Sequence, residues 1–246
     1  MTPSPERPKN DLFDIYPELA ETLTQLSRGA QWALAGVSAL LLDHQDRLVL
    51  EIVKRKYWLK HPDGTTRIGL GAIGGSLEPG ESALACLQRE TQEEIACQPE
   101  ILSSKKLQDA HETIMVHEKS DLIPVALPER HAPRPCLMTV SANLYRRDEL
   151  DAEVLTIATY WARLHQPPRL SDLFGLLLVP QASIAGLLRS DGVTVQEATD
   201  LDGVTLQTRE PLPENTVLHP VWTIRSLQLA LRAGYAFEAP DRQRAG

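Results

Sequence analysis

The chain has 246 residues, 42% hydrophobic and 24% charged, the composition of a folded globular chain and not of a disordered or fibrous one. Its net charge of −8, from 33 acidic and 25 basic residues, excludes the electrostatic attraction on which nucleic-acid and anionic-membrane binding rest. Aromatic residues at 5% leave the core to Leu, Ile, Val and Ala and argue against a surface for stacking successive bases.

Residues 1–10 are rich in proline and polar groups; they read as a loose tail and, with no apolar stretch behind the charges, not as a secretory signal. Between residues 11 and 31, Leu12, Ile15, Leu19, Leu23 and Leu26 recur at spacings of three and four. That predicts an amphipathic helix capped by Asn10 or Asp11, whose apolar face suits either the chain's own core or a homodimer. A dense apolar segment over residues 32–42, a turn at Asp43-His44-Gln45-Asp46 and a second run over 47–54 predict a hairpin. His61-Pro62-Asp63-Gly64 is another turn. Gly69, Gly71, Gly74, Gly75 and Pro79-Gly80 then lead into a helix over residues 81–97, closed by Pro99. Residues 98–135, with Pro124, Pro128, Pro133 and Pro135, read as an irregular insertion. Strands are expected over 136–145 and 173–179, a short helix over 183–189 and a longer one over 221–233. Strands interleaved with helices give an α/β or α+β domain over residues 32–238, preceded by the tail and helix of 1–31 and followed by a tail of 239–246. No apolar run approaches the roughly 20 residues of a membrane helix. The three cysteines, Cys86, Cys97 and Cys136, form no Cys-x-x-Cys pair and read as reduced core thiols of a cytoplasmic protein.

Chemistry concentrates in residues 75–97. On the expected helix Glu90, Glu93 and Glu94 stand at i, i+3 and i+4, so their carboxylates crowd one face. Leu84, Leu87, Thr91 and Ile95 form a separate stripe for the core, with Glu94 nearest the boundary at about 100° per residue. Side by side, the carboxylates repel one another unless a cation compensates, and Mg²⁺ suits a few carboxylates completed by water and phosphate. A solvated acidic face is the plain alternative. Arg89 is placed to pair with a neighbouring carboxylate such as Glu81, and the glycines before the helix let the backbone turn tightly beside a ligand.

This arrangement resembles the Nudix box, Gly-x5-Glu-x7-Arg-Glu-U-x-Glu-Glu-x-Gly-U with U apolar. Gly75, Glu81, Arg89, Glu90, Glu93 and Glu94 match at the required spacing, whereas Thr91 replaces an aliphatic residue and Ala96 replaces the last glycine. The resemblance implies an α/β/α sandwich with a mixed sheet, with the N-terminal helix and the 98–135 stretch as additions. It implies a pyrophosphohydrolase that cleaves a nucleoside diphosphate linked to another moiety by attack of an activated water on phosphorus. Glu90, Glu93 and Glu94 would hold Mg²⁺ or Mn²⁺, Arg89 would orient the glutamates, and Glu81 would anchor the loop. Gly74 and Gly75 would lie by the metal or phosphates, and Arg67 is a further candidate for a phosphate. Glu112, Glu118 and Glu129 are candidate bases outside the box. Positions Glu112, Thr113, Ile114 and Met115 carry neither the proline nor the tyrosine of two known subgroups, so the substrate stays open within nucleotide chemistry. A non-catalytic nucleotide sensor is the alternative. Lys54-Arg55-Lys56-Tyr57-Trp58 reads as strand-end charges more readily than as a phosphate-and-base patch. Tyr160-Trp161 reads as core, and His111 with His117 falls short of a zinc site.

Overall fold

The computed structural model describes residues 12–102, 112–117, 121–143 and 151–236. Asn10, Asp11, His111, Glu118 and both expected tails lie outside them. The elements run α1 (Leu12–Ile15), α2 (Pro17–Leu26), β1 (Trp32–Leu42), β2 (Arg47–Ile52), β3 (Leu59–Lys60), β4 (Thr66–Ser76), α3 (Ala83–Ile95), β5 (Glu100–Ile101), β6 (Glu112–His117), β7 (Asp121–Ala126), β8 (Leu137–Ala142) and β9 (Val154–Arg163). They continue as β10 (Gly175–Pro180), α4 (Gln181–Leu187), β11 (Val193–Thr194), α5 (Val195–Thr199), β12 (Thr205–Thr208), β13 (Thr216–Pro220) and α6 (Trp222–Arg232). No helix among the described residues is long and apolar enough to cross a membrane.

Burial along β1 explains the layering. From Ala35 to Leu42 every residue is buried, without alternation, as in a strand covered on both faces. Val37, Ala39 and Leu41 join one core with Leu19, Leu23, Leu87 and Ile95. Leu40 and Leu42 join another with Leu187, Ala198, Ile224 and Leu227. Helices α1, α2 and α3 therefore lie on one side of the sheet and α4, α5 and α6 on the other. The sheet is mixed, in the order β11-β13-β4-β2-β1-β9-β8-β6-β7, with β10 also on β2. Parallel pairs join β1 to β9, β13 to β4 and β6 to β8.

Three expectations need correcting. The single helix over 11–31 is broken, because Tyr16 precedes Pro17 and is held at φ −124°, ψ 72°, outside the helical region that a following proline disfavours. Its apolar face is consumed by the chain's own core, with Leu12, Phe13, Tyr16, Leu19 and Leu23 buried, so it is not presented to a second copy. Residues 98–135 are not irregular throughout: β6 and β7 form a hairpin at one end of the sheet. Pro124 is tolerated there because β7 is, among the described residues, the edge strand of the sheet. The long strand β9 was not expected as an element, and its Tyr160 and Trp161 are buried in the core.

Strand β4 positions the site by changing partners along its length. It pairs with β13 over Thr66–Leu70, with β2 at Ile52↔Leu70, Glu51↔Gly71 and Leu50↔Ala72, and with β1 from Ala39↔Ile73 to Gly36↔Ser76. The last exchange brings Gly74 against β1 with φ +147°, where a Cβ would lie 2.2 Å from the Val37 carbonyl oxygen. Only glycine permits that approach.

Candidate active site

Helix α3 starts at Ser82, whose side chain accepts from the Ala85 N–H, and buries Ala83, Cys86, Leu87, Thr91, Glu94 and Ile95. Thr91 is fully buried where an aliphatic residue is usual, and its hydroxyl donates to the Leu87 carbonyl, which satisfies the polar group inside the helix. Ala96 ends the helix in the left-handed region at φ 53°, ψ 34°, the conformation that glycine takes without penalty. Ala96→Gly is accordingly expected to raise stability by about 1 kcal/mol, measured by chemical denaturation.

The three glutamates of α3 do not share one environment. Arg89 donates from Nε and Nη2 to the two oxygens of Glu81, at 2.9 and 3.0 Å, and from Nη2 to the Ser76 carbonyl at 3.0 Å. Its Nη1 reaches Glu90 Oε1 at 2.8 Å and Glu93 Oε2 at 3.3 Å. Hydrogen bonding to Arg89 holds the Glu81 carboxyl below its ordinary range, and the Glu78 N–H donates to Glu81 at 3.0 Å. Glu81 is thus the strut that fixes the loop to the helix. The Glu93 side chain is 56% exposed. Glu94 is turned inward at 8% exposure and accepts from the Gly74 N–H at 3.2 Å. Glu90 packs so closely on Gly75 that a Cβ there would lie 2.1 Å from its Oε1.

A cleft of about 420 Å³ opens beside these residues, with Glu90 and Glu94 on one wall and Gly74 and Gly75 at its edge. A third carboxylate, Glu51 of β2, completes the wall at 9% exposure. Burial, then repulsion from Glu51, pushes the Glu94 carboxyl up to about 9, against the Gly74 hydrogen bond and Lys54. Burial pushes Glu51 up to about 7, with Lys54 opposing and Glu90 adding. Lys54 and Lys56 also line the cleft; Lys54 is paired with Asp172. Among the described residues no group of three or more His, Cys, Asp or Glu side chains is gathered closely enough to hold a metal ion as it stands.

Sequence reasoning missed Glu51. Its signal was a lone carboxylate inside the otherwise apolar run Leu48-Val49-Leu50-Glu51-Ile52-Val53, and its place opposite Gly71 depends on strand pairing. Arg67 stands apart from the cleft: it lies eight residues before Gly75 on β4, between Leu59 and Val217, roughly 26 Å along an extended strand. Glu112 and Glu129 are exposed and outside the cleft.

The sequence model of the NUDIX domain family matches residues 33–164, more than half of the 246. No curated protein matches the sequence significantly. Solved structures similar to the chain include the MutT protein of Methanosarcina mazei Go1, 14% identical over 64% of this chain and 83% of that one, with a TM-score of 0.34. A NUDIX-family hydrolase from Clostridium perfringens is 13% identical over 63% and 83%, with a TM-score of 0.35. The dihydroneopterin triphosphate pyrophosphohydrolase of E. coli is 12% identical over 63% and 86%, with a TM-score of 0.34. With its domain match spanning β1 to β9 and six of the seven charged and glycine positions of the box in place, the chain belongs to the Nudix family.

Proposed function

We propose that the protein is a Mg²⁺- or Mn²⁺-dependent hydrolase that cleaves the pyrophosphate of a nucleoside diphosphate linked to another moiety. The observation that carries this reading is the wall of Glu51, Glu90 and Glu94. Two of its carboxylates are buried and held well above their ordinary range, an arrangement that costs folding energy unless a cation joins it. The donor set fits a hard divalent ion: all side-chain ligands are carboxylates, as Mg²⁺ and Mn²⁺ prefer. Such an ion, when bound, neutralises the diphosphate and lowers the pKa of water.

The chain's own residues would divide the remaining work. Glu90 and Glu94 would hold the ion, joined by Glu93, which is exposed beside them on α3. Glu51 is the carboxylate placed to accept the proton of the attacking water, a role for which a pKa near working pH is suited. Arg89 holds Glu90 and Glu93 in register, Glu81 fixes Arg89, and the glycine pair lets the substrate approach the backbone. Lys54 and Lys56 face the diphosphate. Three unpaired cysteines, two of them buried, are in keeping with action in the cytoplasm.

The test is product analysis over nucleoside di- and triphosphates, sugar nucleotides, ADP-ribose and dinucleoside polyphosphates, with Mg²⁺, Mn²⁺ or chelator. Metal-dependent turnover is the expected result; ligand binding by folded protein without turnover would establish the sensor instead. Arg89→Lys keeps the charge but loses the planar fork that serves Glu81, Ser76 and Glu90 together. It is expected to lower kcat about 10- to 100-fold, with KM little changed.

A further inference from the structure

Lys54 lines the cleft with carboxylates on two sides of it. Glu94 and Glu51 of the wall are close enough to act on its charge, yet its ammonium pairs with Asp172 and with neither of them. That choice of partner matters for the wall. An ammonium drawn in among Glu51, Glu90 and Glu94 would supply the positive charge that a divalent ion otherwise brings, and would compete with it.

Folding stability does not account for the pair. The Asp172 side chain is 70% exposed and that of Lys54 36%, the range in which an ion pair contributes little to the fold. The backbone that carries it is nonetheless fixed on both sides. The Ser171 N–H donates to the Glu94 carbonyl at 3.0 Å and the Arg169 N–H to that of Ile95 at 3.1 Å, so this loop caps the last carbonyls of α3. Leu173, next in sequence, is fully buried, and its carbonyl accepts from Arg209 Nε at 2.7 Å. Around Lys54, the Tyr57 N–H donates to the Lys54 carbonyl at 2.9 Å and the Trp58 indole to the Val53 carbonyl at 2.8 Å. The Trp58 ring meets Phe174 edge-on at 4.9 Å, which joins the two segments. Lys54 and Asp172 are thus presented to each other by backbone already in place, and little chain entropy opposes their pairing. Asp172 lies beyond residue 164, where the family match ends, so the pairing is no part of the box.

We propose that Asp172 is a positioning residue, which holds Lys54 back from Glu51, Glu90 and Glu94 and so keeps the wall open to the divalent ion. This inference rests on the wall being the metal site and adds to it a residue from outside the box.

The test is calorimetric binding of Mn²⁺, without substrate, to the full chain as wild type, Asp172→Asn, Asp172→Glu, Lys54→Met and the double variant Asp172→Asn with Lys54→Met. Asp172→Asn is expected to weaken Mn²⁺ about 10- to 100-fold, as loss of an outer partner does at metal sites. Asp172→Glu keeps the charge and is expected to bind nearly as wild type does. In the Lys54→Met background the change at 172 is expected to have no effect, because no ammonium is left to fall onto the wall. Thermal melts of the same preparations show that each is folded. The proposal is overturned if folded Asp172→Asn binds Mn²⁺ as wild type does, or if it weakens binding equally with and without Lys54, the mark of a purely structural loop. Wild type that binds no Mn²⁺ removes the metal site and this inference together, whereas Mn²⁺ binding indifferent to Asp172 removes this inference alone.

Discussion

Glu94→Gln is expected to reduce turnover by more than about a hundredfold, since even outer partners of metal ligands cost 10- to 100-fold, and yet to make the metal-free protein more stable at alkaline pH. The amide can still accept the Gly74 N–H, so the fold is retained. In the unfolded chain a glutamate ionises near its ordinary value of about 4.3, whereas folding holds the Glu94 proton up to about 9. Between those values the folded state binds more protons than the unfolded one, so stability falls as pH rises and the loss is complete above about 9. Glu51 adds a loss of the same sign, complete above about 7. The melting temperature of wild type in chelator is therefore expected to drop steadily from pH 5 to pH 9. The drop should be much smaller in Glu94→Gln and in wild type with Mg²⁺. Calorimetry across that range decides it; a flat wild-type profile together with an active Glu94→Gln enzyme would sink the carboxylate wall as the working site.

Two adjacent glycines are expected to answer alanine in opposite ways. At Gly74 the new Cβ would meet backbone, 2.2 Å from the Val37 oxygen and 2.6 Å from the Ser38 Cα, at φ +147°. Neither strand can yield cheaply, so Gly74→Ala is expected to cost about 3 kcal/mol or more, a fall in melting temperature of about 6–12 °C. At Gly75 the obstacle is the Glu90 carboxylate, 2.1 Å from the Cβ position, the far end of a side chain that can swing away. Gly75→Ala is expected to melt within about 3 °C of wild type while activity falls roughly 10- to 100-fold, because Glu90 is displaced from the wall. Thermal melts and kcat on the same two preparations check both halves. Equal thermal losses would show that Glu90 is as rigid as the backbone.

What was legible in the sequence was local. The hairpin of β1 and β2 announced itself through two apolar runs and a turn, and α3 through its periodicity and the proline that follows. The inward tilt of Glu94 relative to Glu93 follows from 100° steps around the helix, although its depth does not. Hidden were the features made by distant pairing. Strand β9 earns its place only beside β1, with Trp32↔Val154 and Leu42↔Arg163 in register, and its own residues carry no alternation that marks a strand. Glu51 carried no local mark of a site residue, because the strands that flank it, with Gly71 and Leu176 in register beside it, come from distant parts of the chain. Arg67 looked near the glycines because it is near in number, but a strand is extended and carries it away.

The docking of the N-terminal helices has a consequence for the protein as it is made. The Tyr16 hydroxyl donates at 2.6 Å to the carbonyl of Ala132, 116 residues later, and Arg130 pairs with Glu18 at 2.9 Å. At about 5–20 residues per second, the ribosome needs roughly 6–23 s to supply that partner after the tyrosine has been added. Until then Leu12, Phe13, Leu19 and Leu23 can meet only the earlier part of their core, such as Trp32 and the residues of β1 and α3, and β1, paired with β2 and β4 on one side, waits for β9 on the other. A nascent chain thus carries a half-covered amphipathic helix ahead of a central strand open along one edge, the kind of surface that chaperones bind, and the N-terminal helices are among the last elements to complete their packing.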